Sequence, residues 1–325
     1  MNNVDLHEEF ISNLYAKVPR RADLVNRVSD ILLIEKESAS RRLSGRVCFT
    51  VREMGMLASE LHISLDGLLL KNREYQLMPL FLQSPMRQNS MDIMCDTIDL
   101  NLGVMLDICT ESAEAGNVYN SLPVEFFMYS PLLTKFMFFK WGYYFVGSGE
   151  FRNFSDWKLP RKLACLRQKF EKALSCFDSN FYIWDSSLVW TLSDEIRNFH
   201  MMHIITDAER DAIRDELKNV LDRLEDFLER RYIPDMPFIP NMSFYVSTMN
   251  MGFTSSYFAS AGKFAALMQT NFSYSFIDDN YAGFSKVREW IRSLRSFSML
   301  LSDSGLIERR LFFERQRRII DTVLG

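Results

Sequence analysis

Hydrophobic residues in the first seventy positions recur at intervals of three and four, which predicts a row of short amphipathic helices. The first helix runs from about His7 to Lys17, and Pro19 ends it. A second helix leads through a tight connection, residues 33–35, into a third helix over about residues 36–44. The apolar stripe of the second helix consists of Leu24, Val25, Val28, Ile31 and Leu32.

Two further helices complete this region. The fourth begins at Thr50, and Glu53 three residues later forms a capping-box pair with it. The fifth begins at Ser64. Five short helices indicate a compact amino-terminal domain over residues 1–71.

The third helix is unusually polar. Its apolar positions are Ala39 and Leu43, which are four residues apart and therefore share one face. Gly45 is placed to end the helix in a left-handed conformation. The remaining faces must therefore contact solvent or a charged partner. They carry Glu37, Ser38, Ser40, Arg41, Arg42 and Ser44.

The stretch VSDILLIEKESASRRLSGRVCFTVREMGMLASELHISLDGLL resembles the lambda-repressor-like (Cro/C1-type) helix-turn-helix domain. Ser29 stands where that family has Ala or Gly, Ile34 matches the inward residue of the turn, and Ala39 matches the inward residue of the recognition helix. Residues 57–66 are similar to the closing segment of the family. The sequence departs from the family at Leu33, where Gly is usual, and at Arg42, which is near a position that is often apolar.

The resemblance implies that residues 36–44 enter the major groove of double-stranded DNA. If Ala39 and Leu43 face inward, the base-facing residues are Glu37, Ser40, Arg41 and Ser44. Arg41 is the expected reader of guanine, because its planar fork matches O6 and N7. The residues expected to bind phosphates are Lys36, Arg42 and Arg46. The plainer interpretation is that these arginines only solvate a helix.

The rest of the chain has a different pattern. Residues 72–90 are predicted to be a connecting segment, and residues 91–325 a mostly helical α+β domain for effector sensing or dimerisation. A helix is predicted from Thr206 to Arg231, with a capping box at Thr206 and Glu209. Its heptad seam either packs on its own domain or forms a dimer interface, and consists of Ile213, Leu217, Val220, Leu224 and Phe227.

Residues 243–270 are rich in β-branched and aromatic residues and predict a small antiparallel sheet with a turn at residues 261–263. Two amphipathic helices follow, the second over about Leu306 to Leu324. Their arginines form either a second phosphate-binding surface or a solvated face. The whole chain also resembles a group of Bacteroidetes helix-turn-helix regulators, through LTKFMFFKWGYYF and SMLLSDSGLIERRLFF.

The composition restricts the class of protein that this chain can be. With 47% hydrophobic and 25% charged residues and a net charge of −4, the chain has the balance of an ordinary globular protein. The five cysteines lack metal or redox spacing and are expected to be free thiols. The most apolar run, residues 122–146, contains several charges and a proline, so it is predicted to be a buried helix rather than a membrane span. We therefore expect a cytoplasmic protein.

Enzyme chemistry has no clear sequence signature here, and we expect neither an enzyme nor a cofactor. His200 and His203 with Glu195 nearby could in principle bind a metal, but two histidines on one helix are usually structural, and we expect no metal site. The many aromatic residues beyond position 140 could line a pocket for an unknown small-molecule effector, although a packed core is the more common use.

The sequence therefore predicts a mainly helical transcriptional regulator that binds double-stranded DNA, acts as a homodimer and does not interact with membranes. The main alternative is a protein–protein interaction module that uses a helix-turn-helix fold without binding DNA. A third possibility is an enzyme that is gated by a DNA-binding domain.

Overall fold

The computed structural model describes residues 6–61, 63, 65, 68, 81–83, 91–147, 149–230, 242–270, 273–276, 281–303 and 305–325. The chain divides into two compact units. Unit 1 comprises Met1–Phe81 and Ile277–Gly283, and unit 2 comprises Leu82–Phe276 and Phe284–Gly325. Apart from residues 81–83, the predicted connecting segment lies outside the described residues.

Unit 1 begins with four helices in the predicted places: α1 (Leu6–Lys17), α2 (Arg21–Leu32), α3 (Lys36–Leu43) and α4 (Val51–Glu60). The capping box at Thr50 and Glu53 is present at the start of α4. The predicted fifth helix is described only at Leu65 and Leu68, which are both helical. The core of the unit includes Phe10, Leu14, Leu24, Val28, Ala39, Leu43 and Leu57.

A mixed β-sheet organises the larger part of the chain. Its strands lie in the order β1-β7-β6-β5-β2-β3-β4-β8. The strands are β1 (Phe81–Gln83), β2 (Glu114–Tyr119), β3 (Ser179–Trp184), β4 (Met242–Val246), β5 (Thr254–Ser260), β6 (Lys263–Thr270), β7 (Ser273–Phe276) and β8 (Met299–Leu300).

The sheet corrects the prediction of a small antiparallel sheet. The hairpin of β5 and β6 is present, with a left-handed Gly262 in its turn. However, β2 pairs with β3 and β3 with β4 in parallel. The prediction missed β2 and β3 because both strands are buried along nearly their whole length and lack polar–apolar alternation.

Helices cover both faces of the sheet, and the protein is mostly helical. On one face Trp184 packs on Phe312 and on Phe244, whereas on the other face Tyr257 meets Phe284. The helices of this part are α5 (Met91–Ile108), α6 (Val124–Phe127), α7 (Pro131–Phe145), α8 (Lys162–Ser175), α9 (Trp190–Met201), α10 (Asp207–Arg230), α11 (Tyr281–Ser296) and α12 (Leu306–Leu324).

The heptad seam of α10 does not form a free dimer surface, which corrects that interpretation. Its five residues are at most 1% exposed and belong to the core of unit 2. Helices α9 and α12 pack against α10 and cover it. The alternative interpretation, that the seam packs on its own domain, is confirmed for Ile213, Leu217, Val220, Leu224 and Phe227.

The expectation of five free thiols is wrong for one pair. Cys109 and Cys176 form a disulfide with a Cα–Cα distance of 5.9 Å. It joins the residue after α5 to the residue after α8, across a separation of 67 residues that no sequence spacing would indicate. Cys48, Cys95 and Cys165 are not part of a disulfide.

The apolar run at residues 122–146 forms α6 and α7. Five of its ten aromatic side chains are buried in the unit 2 core, namely Phe126, Phe127, Phe136, Phe138 and Phe139. Within the described ranges, no helix combines the length and the apolar character that a bilayer span requires.

Candidate nucleic-acid interface

The turn between α2 and α3 is closed by hydrogen bonds to Ser29. The amides of Leu33 and Ile34 both donate to the Ser29 carbonyl, and the Ser29 hydroxyl donates to the Ile34 carbonyl at 2.6 Å. Ser29 therefore does more than allow close packing. The sequence pattern showed only its small size and not the role of its hydroxyl.

Leu33 adopts a left-handed conformation in this turn, with φ 52°. Glycine adopts this conformation without steric cost, whereas a residue with a Cβ is strained there. The Leu33 side chain is 89% exposed and gains little packing in return. The turn thus keeps the geometry that glycine favours even though the residue is leucine.

Helix α3 is held to unit 1 by its two predicted apolar residues. Ala39 is fully buried and Leu43 is 3% exposed. Gly45 follows the helix with φ 74°, and its amide donates to the Arg42 carbonyl at 3.0 Å. At 1.5 Å per residue, eight residues give a helix about 12 Å long, comparable to the width of the major groove.

The side of α3 that faces away from the core is open to solvent. Lys36, Glu37, Arg41 and Ser44 are exposed, and Ser40 is half-buried. The Ser44 hydroxyl donates to the Arg41 carbonyl at 2.9 Å, so its oxygen remains able to accept a hydrogen bond. The base-facing residues predicted from the sequence therefore lie together on a short, exposed helix.

The positive charges at this surface are largely uncompensated. Across the part of the chain that the structure describes, no carboxylate forms an ion pair with Lys36, Arg41, Arg46 or Arg52. The Arg41 guanidinium donates a hydrogen bond to the Ser38 hydroxyl at 3.4 Å. Side chains in this state are free to bind an anionic partner.

Arg42 is the exception among these cations, because its guanidinium already has partners within unit 1. Its guanidinium forms an ion pair with Glu53 at 2.9 Å and donates to the Ser38 carbonyl at 3.3 Å. Partial burial opposes ionisation of Glu53, but hydrogen bonds from Arg42 and Thr50 lower its pKa overall. Arg42 therefore ties α3 to the start of α4 and serves as a positioning residue.

A second positioning contact was not predicted. Nε2 of His7, in α1, accepts a hydrogen bond from the Phe49 amide at 3.0 Å. The ring of Phe49 in turn packs on Phe10. These contacts fix the end of the loop that carries Arg46 on its exposed side.

The residues considered for metal binding have other partners. Glu195 accepts from the Lys140 ammonium at 2.6 Å, and His200 contacts Asp207 at 3.0 Å. His203 occupies a left-handed position after α9. The described residues contain no group of three metal-ligating side chains.

Comparisons with family models, with curated proteins and with solved structures found no match to this chain. The function is therefore inferred from the residues and geometry described above.

Proposed function

We propose that the chain is a sequence-specific, DNA-binding transcriptional regulator. In this proposal α3 enters the major groove, Arg41 reads guanine, and Glu37 accepts a hydrogen bond from cytosine N4. Ser40 and Ser44 make the remaining base contacts. The observation that carries the proposal is the exposed, uncompensated polar side of α3 opposite its buried Ala39 and Leu43 anchors.

Lys36 is the first residue of α3 and Arg46 follows its end, and both would bind backbone phosphates. Each neutralised phosphate releases counterions, so the affinity must fall as salt rises. A bidentate contact from Arg41 discriminates between bases by about 1–3 kcal/mol, whereas a phosphate contact does not discriminate. Base recognition and phosphate binding are thus assigned to different residues, so mutations can separate the two.

A regulator of this kind commonly reads two half-sites with two copies of its DNA-binding domain. We therefore propose that the protein works as a homodimer in the cytoplasm, with unit 2 for effector sensing or dimerisation. Since the α10 seam is buried, any dimer must form through another surface.

One observation favours the alternative of a protein-interaction module. Leu33 and Val51 in unit 1 are 89% and 85% exposed, and apolar side chains at such positions suit a protein partner. This function predicts no salt-dependent affinity for DNA.

The test starts with selection of bound sequences from random double-stranded DNA, using the purified chain. Fluorescence anisotropy then measures affinity for the selected sequence and for point variants of it, at several salt concentrations. Arg41→Ala should reduce discrimination at one base step by about 1–3 kcal/mol. Arg46→Ala should weaken binding to all sequences alike and reduce the salt slope by about 1.

Arg230→Ala is a matched control, because Arg230 is 71% exposed at the end of α10 in unit 2. It should leave both affinity and discrimination unchanged. Equal DNA binding by the wild type and an Arg41→Ala/Arg46→Ala double variant would refute the proposal. Failure of the selection to enrich any sequence would also refute it and would support the interaction module.

A further inference from the structure

A cavity of about 100 Å³ lies within unit 2, between the sheet and helices α5 and α8. Alternate residues of β2, β3, β5 and β6 form its floor, and residues of α6 and α7 contribute to its wall. Several lining residues, including Asn101 and Gln269, keep partial exposure. Neither the DNA-binding proposal nor the packing of the core uses this space.

Glu125 on α6 is the ionisable group of the cavity. It is 5% exposed and accepts a hydrogen bond from the Tyr182 hydroxyl at 2.9 Å. Burial raises the pKa of its carboxyl to about 7, although hydrogen bonds from its own amide, Tyr182 and Tyr119 oppose the rise. Among the described residues no lysine or arginine pairs with it, and Lys140 in α7 is bound to Glu195.

A buried carboxyl without a protein cation is costly to ionise. A ligand that carries a positive charge would remove this cost by supplying the missing counter-ion. Neutral ligands would supply no counter-ion, and anionic ligands would be repelled by the ionised form of Glu125.

The rest of the lining suits the same kind of ligand. Trp141, Phe170 and Tyr119 present aromatic rings, which attract both alkyl groups and cations. The Oδ1 atom of Asn101 is buried and has no hydrogen-bond partner. An unpaired acceptor of this kind calls for a donor from the occupant.

We propose that the cavity binds a small primary aliphatic amine in its ammonium form. Glu125 is the counter-ion, Asn101 is a second acceptor, and the aromatic side chains surround the alkyl group. Since an apolar cavity of about 150 Å³ accommodates benzene, a cavity of about 100 Å³ fits a ligand smaller than benzene.

Amine binding itself does not depend on DNA binding. The role of the amine as a regulatory effector does rest on the proposed function. The helix that would transmit its effect is α5, which lines the cavity and is the first described helix after the predicted connecting segment.

Isothermal titration calorimetry of the full chain at pH 8 tests the proposal with three probes of similar size. Isobutylamine should bind, isobutanol should bind at least about tenfold more weakly, and isobutyrate should not bind. The affinity for the amine should rise between pH 6 and pH 8, because Glu125 ionises while the amine stays protonated. Equal affinity for the amine and the alcohol, or no binding of the amine, would overturn the proposal.

Two variants separate the contacts. Glu125→Gln should weaken amine binding by at least about tenfold, and Glu308→Gln, an exposed matched control on α12, should not change it. Asn101→Leu keeps the carboxylate and fills similar space, so a several-fold loss should follow from the missing acceptor alone. Unchanged amine affinity in both cavity variants would refute the assignment.

The two proposals can fail independently. Calorimetry tests the cavity even if the chain binds no DNA. If the chain binds DNA but not isobutylamine, only the cavity proposal is refuted.

Discussion

Replacing Glu125 by glutamine isolates the energetic effect of one buried carboxyl on unit 2. Burial raises the pKa of this carboxyl from its ordinary value of 4.5 to about 7 in the folded chain. In the unfolded chain the group is solvated and ionises near 4.5. Between these two values the unfolded state has released the proton and the folded state still holds it, so stability falls as pH rises.

The magnitude follows from the two pKa values. Each pH unit between 4.5 and about 7 removes about 1.4 kcal/mol of stability, and the loss levels off above pH 7. Glutamine keeps the shape and the acceptor for Tyr182 but cannot ionise. The variant should therefore gain about 3 kcal/mol over the wild type between pH 4 and pH 8. For a unit of this size the gain corresponds to about 6–12 °C in Tm at pH 8.

Tryptophan fluorescence is a suitable assay, because all five tryptophans lie in unit 2: Trp141, Trp157, Trp184, Trp190 and Trp290. Urea unfolding at a series of pH values then reports on unit 2 alone, in buffers that contain no amine. Glu308→Gln, an exposed glutamate-to-glutamine change on α12, is the matched control. A stability difference between Glu125→Gln and the wild type that stays the same at every pH would show that the Glu125 pKa is not raised, and the prediction would be wrong.

Two further changes probe the backbone. Leu33→Gly should stabilise unit 1 by about 0.5–1 kcal/mol, because glycine removes the left-handed strain at a side chain that packs on little. Hydrogen exchange of the α2 and α3 amides should slow by about two- to fivefold, and faster exchange would contradict this account. Gly305→Ala should destabilise unit 2 by about 1–3 kcal/mol, since a Cβ there would collide with the Leu300 carbonyl. Gly103→Ala in α5 has open space around it and should be neutral or stabilising in the same urea assay, so equal effects of the two substitutions would refute the steric argument.

Local sequence patterns predicted the positions of the described helices of unit 1. Helix α3 could be placed because two apolar residues four apart mark one face, and α4 because Thr50 and Glu53 form a capping box. The partner of Arg42 was harder to predict. Glu53 already had a role in the capping box, and only the packing of α3 beside α4 brings its second oxygen to Arg42.

Unit 2 contains features that local sequence patterns do not predict. The residues of β2 and β3 are covered on both faces, so they lack the alternation that identifies a half-buried strand. Glu125 was visible only as a charge within an apolar run. Its importance comes from Tyr182, which is 57 positions away and is brought to it by the sheet.

The outer side of β4 has a consequence for assembly. Strand β8 pairs with Tyr245 and Val246 only, and beyond it the chain turns away towards α12. The Phe244 amide instead donates to the Ser302 hydroxyl at 3.2 Å, and the Phe244 carbonyl accepts from the Leu301 amide at 2.8 Å. Because this border is already sealed by side-chain and loop hydrogen bonds, another polypeptide cannot extend the sheet next to β4. This part of the molecule is thereby protected from strand-by-strand polymerisation.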